Sequence, residues 1–274
     1  MPRQDNEKLS WHFPLFLKKI SVNIILKPLG VIENILDVSN VELPEQYKEK
    51  LTKVRQQQKA LATQASLVNE VDLQSLCYVS GLDIAYSKNE EIACAAAVTV
   101  DFRTLETLEK QVAFFDPPIP YIPSFLHARE SPGYHAVIQK LSQKPDLFLF
   151  DGNGILHPLG IGLATQMGIE LDQPSMGIAK NLLMGEFKPP LHRFGYSEIL
   201  VEGKVLGAAF QSMTQPANPI FISPGHKIDL KTSLIIVREF ILNQTFENKL
   251  PLPLILADKL SKEKIGEENQ DIMS

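Results

Sequence analysis

Leu147-Phe148-Leu149-Phe150-Asp151-Gly152-Asn153-Gly154 reads as a buried strand that stops on a carboxylate. Four consecutive apolar residues leave no wet face, the pattern of a strand covered on both sides. Asp151 then falls at the strand's carboxyl end, where open α/β sheets bind their ligands. Gly152 and Gly154 let backbone come close to a ligand. The blander reading is a tight turn, because Asp-Gly is a common turn dipeptide. His157-Pro158 just downstream favours the functional one.

On the upstream side, Ser131-Pro132 opens a helix, with proline at or near its first position. Its apolar stripe is Val137, Ile138 and Leu141, and Lys144-Pro145 ends it. Residues 76–85 and 92–102 predict two strands joined by a polar turn at 88–91, an antiparallel hairpin. Residues 111–115 add a third strand, and the four prolines of 116–123 make that stretch irregular. Residues 45–67 predict a locally basic helix with a solvated face. On the downstream side, helices are expected over 159–168, 229–242 and 253–264, the last followed by a polar tail that frays. Strands are expected over 175–179, 205–210 and 220–223. Strands first in a hairpin, then alternating with helices, make an α/β chain with a mixed sheet and flanking helices.

The 274 residues allow one large domain, or one domain with an appendage. With 44% hydrophobic and 22% charged residues the chain is not disordered as a whole. Two cysteines, Cys77 and Cys94, are too few for a disulfide framework or a cysteine-built zinc site, and a reducing, cytoplasmic compartment is the simpler reading. The net charge of −5 argues weakly against a nucleic-acid binder, but the carboxylates that a metal-dependent nuclease needs subtract from that sum. Lys18, Lys19, Lys27 and Pro28 interrupt the apolar stretch 11–32, which fits neither a membrane span nor a signal peptide. Residues 1–45 lack a sustained period. They read as an accessory extension or as a mis-assigned start, although a shorter chain would need a non-AUG start because the methionine after Met1 is Met167.

Several polar residues stand where a core has no use for them. Asp83, inside the apolar run Gly81-Leu82-Asp83-Ile84-Ala85, is costly to bury unless paired or holding a metal. The alternative is a strand whose second face is wet. Arg129-Glu130 directly precedes the Ser131-Pro132 helix start, where an acidic residue is an ordinary dipole partner. Ser223-Pro224-Gly225-His226 reads as a loop between a strand and a helix, and Lys180 closes a strand. Tyr121, flanked by prolines, is the most exposed-looking aromatic, although such rings more often fold back on the core. Three carboxylates on separate elements could converge on Mg²⁺, which prefers oxygen ligands. Near a phosphodiester such a metal would activate water, with His157, His226 or Lys180 contacting phosphate or moving protons.

Taken together these motifs resemble endonuclease V. They are Gly81-Leu-Asp83-Ile-Ala-Tyr86, Pro120-Tyr121-Ile122-Pro123 with Arg129-Glu130, Asp151-Gly-Asn-Gly-Ile-Leu-His157-Pro, Gly177-Ile-Ala-Lys180 and Ser-Pro-Gly-His226. The resemblance runs from about residue 51 to about residue 260 and implies a ribonuclease-H-like fold with a catalytic domain over 46–265, between the extension 1–45 and a polar tail 266–274. It implies a Mg²⁺-dependent endonuclease, with Mn²⁺ able to substitute, that hydrolyses the phosphodiester one nucleotide 3′ of a deaminated base, chiefly hypoxanthine, in DNA repair. Asp83, Glu130 and Asp151 would bind the metal. His157 and Lys180 would sit beside the scissile phosphate, with His226 at the edge of that site. Tyr121 would be the tip of a strand-separating wedge formed with Pro120, Ile122 and Pro123. Gly152, Gly154 and Gly177 would let backbone read the base edge. The partner implied is inosine-containing DNA, or inosine in RNA; no membrane is implied, and a monomer is expected. A non-catalytic nucleic-acid-binding module on the same fold is the remaining alternative. It draws on the net acidity and on Leu159-Gly160, which stand where many members of the common bacterial pattern carry two arginines. Gln166 stands where a histidine is usual, Ser124 where glycine is usual and Asn153 where histidine is frequent; Asn153 and the altered segment after His157 point instead to RNA.

Overall fold

A computed structural model describes residues 45–214 and 217–271. All of the expected N-terminal extension except Glu45 lies outside the described residues, as do 272–274 at the other end. Helix α1 (Glu45–Ala62) leads into a strand meander, β1 (Tyr78–Tyr86), β2 (Ala93–Asp101) and β3 (Thr107–Phe115). Then come α2 (Leu126–Ile138), β4 (Leu147–Asp151), α3 (Leu163–Leu171) and β5 (Ser175–Ala179). The hairpin β6 (Tyr196–Val201) and β7 (Lys204–Phe210), β8 (Ile220–His226), α4 (Leu230–Asn243) and α5 (Leu252–Asp271) complete the chain. All eight strands form one sheet, ordered β3-β2-β1-β4-β5-β8-β7-β6. β4 lies parallel to both β1 and β5, and the remaining pairs are antiparallel. This is the mixed, ribonuclease-H-like sheet with flanking helices that the sequence implied. Among the described residues no helix is long and apolar enough to cross a membrane.

The two-residue period of the central strands sorts their side chains between two cores. Val79, Ala96, Val98, Leu147, Leu149, Met176 and Ile178 face α4 and α5. Leu82, Ala95, Ala97, Phe148 and Phe150 face α2 and α3. Every residue from Leu147 to Phe150 is buried, as a run with no polar face requires. Helix α5 packs on β1 and β2, and Gly81 makes that approach possible: a Cβ there would stand 2.3 Å from the Pro253 carbonyl carbon.

Several boundaries differ from expectation. Helix α2 starts at Leu126, five residues before Ser131, so Glu130 lies within the helix and Pro132 is internal. The extra turn is held by tertiary bonds: Arg129 Nη1 donates to Ile119 O at 2.9 Å, and Tyr86 Oη donates to Glu130 Oε1 at 2.7 Å. Helix α3 starts at Leu163, and α5 continues through Asp271, so the expected polar tail is helical to that point. Strand β8 runs to His226, making Ser-Pro-Gly-His part of the sheet. Strand β6 is new. It is an edge strand with Ile199 as its one buried residue, so it shows no clean alternation. Its signal was the turn Glu202-Gly203, both with positive φ (50° and 76°), the conformation two-residue hairpins favour.

Candidate active site

Asp83 and Asp151 share the parity of Val79 and Leu149, so both point toward the α5 face near the carboxyl ends of neighbouring parallel strands. Helix α5, brought close at Gly81, supplies Asp258. Lys180, one residue beyond β5, ties the group together: its Nζ donates to Asp151 Oδ2 at 2.6 Å and lies 3.9 Å from Asp258 Oδ1. Lys262, one turn on along α5, approaches the same Asp258 oxygen at 2.7 Å. Burial and the carboxylates of Asp151 and Asp258 push the Asp83 carboxyl up to about 8. Burial draws the Lys180 ammonium down, but Asp151, Asp83 and Asp258 overcome this and raise it.

Glu130 reaches the same end from α2. Burial pushes its carboxyl up to about 7, against the pull of the Tyr86 and Tyr134 hydroxyls. The Arg129 guanidinium lies 4.3 Å over the Tyr86 ring, so Tyr86 is gripped from both sides. Sequence reasoning missed Asp258 and Tyr86. The signal for Asp258 was the same as for Asp83: one carboxylate closing an apolar run, Leu252-Pro-Leu-Ile-Leu-Ala-Asp258.

The donor set is all oxygen, and its three or four carboxyl groups outnumber the two ammonium groups beside them, Lys180 and Lys262. That chemistry suits a hard divalent cation. Among the described residues, no three of His, Cys, Asp and Glu stand together at metal-coordinating separation, and Asp151 is engaged by Lys180 instead. The residues fit such a cation in type and charge.

Two histidines expected at this site bond to backbone groups and not to its carboxylates. His157 is buried; its Nε2 donates to Ser124 O at 3.1 Å and its Nδ1 accepts from Leu159 N at 3.2 Å. Burial lowers it to about 4, so it is neutral at pH 7. It belongs to a pocket that is also lined by Gln58, Tyr121, Asn153 and Gln166. His226 pairs with Ser175 at the start of β5, whereas Lys180 follows the strand's end. That is five residues, or about 16 Å at the usual rise, so His226 does not join the site edge. Its Nδ1 accepts from Ser66 N at 3.2 Å.

Tyr121 is 62% exposed, while Ile122 beside it is 5% exposed; the ring points outward. Pro120 is half-buried and Pro123 exposed. Gly177 packs under the 152–154 loop, where a Cβ would stand 2.4 Å from Gly152 O. Gly154 N donates to Ser223 Oγ at 2.8 Å. These glycines make a tight floor, and Asn153 between two of them is the residue that lines the pocket.

The endonuclease V family model matches residues 59–259. The endonuclease V of Dictyoglomus turgidum is 39% identical over 203 residues, covering 74% of this chain and 86% of that protein. The chain belongs to the endonuclease V family. It is therefore an endonuclease. The solved endonuclease V of Bacillus subtilis superposes with a TM-score of 0.74 at 30% identity, over 87% of this chain and 98% of that one. The endonuclease V of Ciona intestinalis, solved with a 23mer DNA containing an inosine followed by a ribo-adenosine, shares the fold. Its TM-score is 0.71 at 23% identity, over 82% of this chain and 99% of that one.

Proposed function

We propose that this endonuclease hydrolyses the phosphodiester one nucleotide 3′ of a hypoxanthine in DNA, with residues 46–265 as the catalytic domain. The observation that carries the reading is the crowding of Asp83, Asp151 and Asp258 around Lys180, a site short of positive charge. Asp83, Asp151 and Asp258, with Glu130 behind them, would hold Mg²⁺ or Mn²⁺, which lowers the pKa of water and offsets charge on the departing oxygen. Lys180, held ammonium by its carboxylates, neutralises charge growing on the phosphate oxygens. Tyr86 fixes Glu130 through its hydroxyl. Tyr121 enters the space of the extruded base, and the pocket beside Asn153 and Gln166 receives that base. Extrusion costs a few kcal/mol and less for a mispaired base, which favours a deaminated one. His157, neutral and bonded to backbone on both nitrogens, supports the pocket wall and moves no proton.

The test uses labelled DNA strands with and without a single inosine, incubated with Mg²⁺ or with EDTA, beside an Asp151→Ala control. Matched RNA strands form a second arm. Metal-dependent cutting one bond beyond the inosine's 3′ neighbour in DNA, lost in the control, is expected. Cutting of RNA in preference to DNA would move the substrate to inosine-bearing RNA. Cutting by a clean Asp151→Ala preparation would remove Asp151 from its role.

A further inference from the structure

The loop bearing Tyr121 contains four prolines and no regular structure, yet it is firmly seated. Ile119 and Ile122, 2% and 5% exposed, pack with Phe125 against Leu51 of α1. Lys50 Nζ donates to Pro118 O at 3.2 Å. Ser124, which turns the loop into α2, has a φ of +66°, a left-handed conformation that costs any residue with a Cβ.

Helix α1 supplies the bonds that hold it there. Arg55 Nη2 donates to Ser124 Oγ at 2.8 Å, and Gln58 Nε2 donates to Ser124 O at 3.0 Å. Arg55 Nη1 donates to Gln58 Oε1 at 2.8 Å, and the guanidinium lies 4.0 Å over the Phe125 ring. Both side chains are buried, and Gln58 also reaches Gln166 Oε1 at 3.4 Å, on the pocket wall. Arg55 and Gln58 precede residues 59–259, the span the family model matches, and neither touches the acidic cluster.

We propose that Arg55 and Gln58 are positioning residues for strand opening, locking Ser124 so that Tyr121 is presented to the duplex before the duplex arrives. The proposal rests on the reading of Tyr121 as the group that enters the gap of an extruded base. A loop ordered in advance loses less freedom on binding. That saving matters most where a base pair must be broken, and little on a single strand, where no pair exists. Clamp and chemistry therefore separate by substrate.

The experiment compares wild type and Arg55→Lys on one inosine-containing sequence as duplex and as single strand. Amide hydrogen exchange over residues 119–125 is followed without nucleic acid. Arg55→Lys is expected to lower duplex cleavage about tenfold, equal to ~1.4 kcal/mol, and to leave single-strand cleavage within about twofold. Exchange in the loop should quicken. Adding Arg55→Lys to a Ser124→Gly background should cost less than in wild type, because the Oγ contact is already gone. Equal losses on both substrates, full additivity with Ser124→Gly, or unchanged exchange would each overturn the clamp. If wild type cut neither substrate, the nuclease reading would fail while the exchange still judged the clamp.

Discussion

The two ends of strand β5 use the same residue types for opposite ends. At its start, Lys227 Nζ lies 2.8 Å from Asp172 and 3.4 Å from Glu70, and His226 is bonded to the Ser66 amide. Asp172 is 80% exposed, so that pairing is screened by water and does little more than tie a linker to the sheet. At its finish, Lys180 serves carboxylates that are partly withdrawn from solvent, and Asp83 among them is pushed up to about 8. One end is neutralised and the other is short of positive charge. A sheet end left with crowded carboxylates is a place built to receive a cation or a phosphate-bound ion, whereas balanced pairs at the other end are structural fastening.

The sharpest way to break the comparison is Asp258→Asn. Removing a carboxylate from the crowded end should lower inosine-directed cleavage about a thousandfold, the worth of ~4 kcal/mol of transition-state stabilisation. Thermal unfolding should change little, because relief of the repulsion with Asp83 is set against loss of the partly exposed pair with Lys262. Full activity in this variant would show that α5 contributes only packing. Lys180→Met should cost about a hundredfold in single-turnover rate, the usual loss of one charged donor at a reacting oxyanion. An effect confined to substrate binding would make Lys180 a docking residue. Asp172→Asn, the formal equivalent at the other end, should change neither rate.

This contrast also marks how much was legible in advance. Asp83 and Asp151 could be picked out because a carboxylate inside or at the end of an apolar run has few cheap destinations, and the structure brings them to adjacent strands. Asp258 carried the same mark, but its run reads equally well as an ordinary amphipathic helix, and only the contact at Gly81 reveals which strand it faces. His226 misled because Pro224 and Gly225 look like a loop, while the sheet absorbs them at a register shift between β5 and β8. Glu130 was read as lying just outside a helix starting at Ser131-Pro132, whereas the helix starts five residues earlier, since tertiary bonds to Ile119 and Tyr86 override the proline. The clamp on Ser124 joins residues 66 or more apart in sequence, and no local pattern encodes it.

A smaller effect separates the pocket from both ends of the strand. His157 is folded with a value of about 4, below the 6.5 or so of an unfolded histidine. The unfolded chain therefore binds a proton that the folded chain refuses in the window between those values, and stability falls as pH drops through it. Over that window the loss amounts to ~3 kcal/mol, at 1.36 kcal/mol per unit. Urea unfolding at pH 7 and at pH 4.5 should show this slope in wild type and a flatter one in His157→Asn. An unchanged slope would place the acid sensitivity elsewhere, among the carboxylates.

The least effect is expected at His226. Its replacement by alanine leaves the Ser66 amide without its acceptor, a loss of about 1–2 kcal/mol for a partly buried donor. Because the imidazole stands at the opposite end of β5 from Lys180, cleavage of an inosine-containing strand should stay within about twofold of wild type, measured well below the unfolding temperature. His226→Gln, which can still accept at a comparable reach, should recover part of the lost stability. A drop in cleavage as large as that from Lys180→Met, at unchanged stability, would mean that the two ends of the strand are not separable, and that the balanced end takes part in the reaction after all.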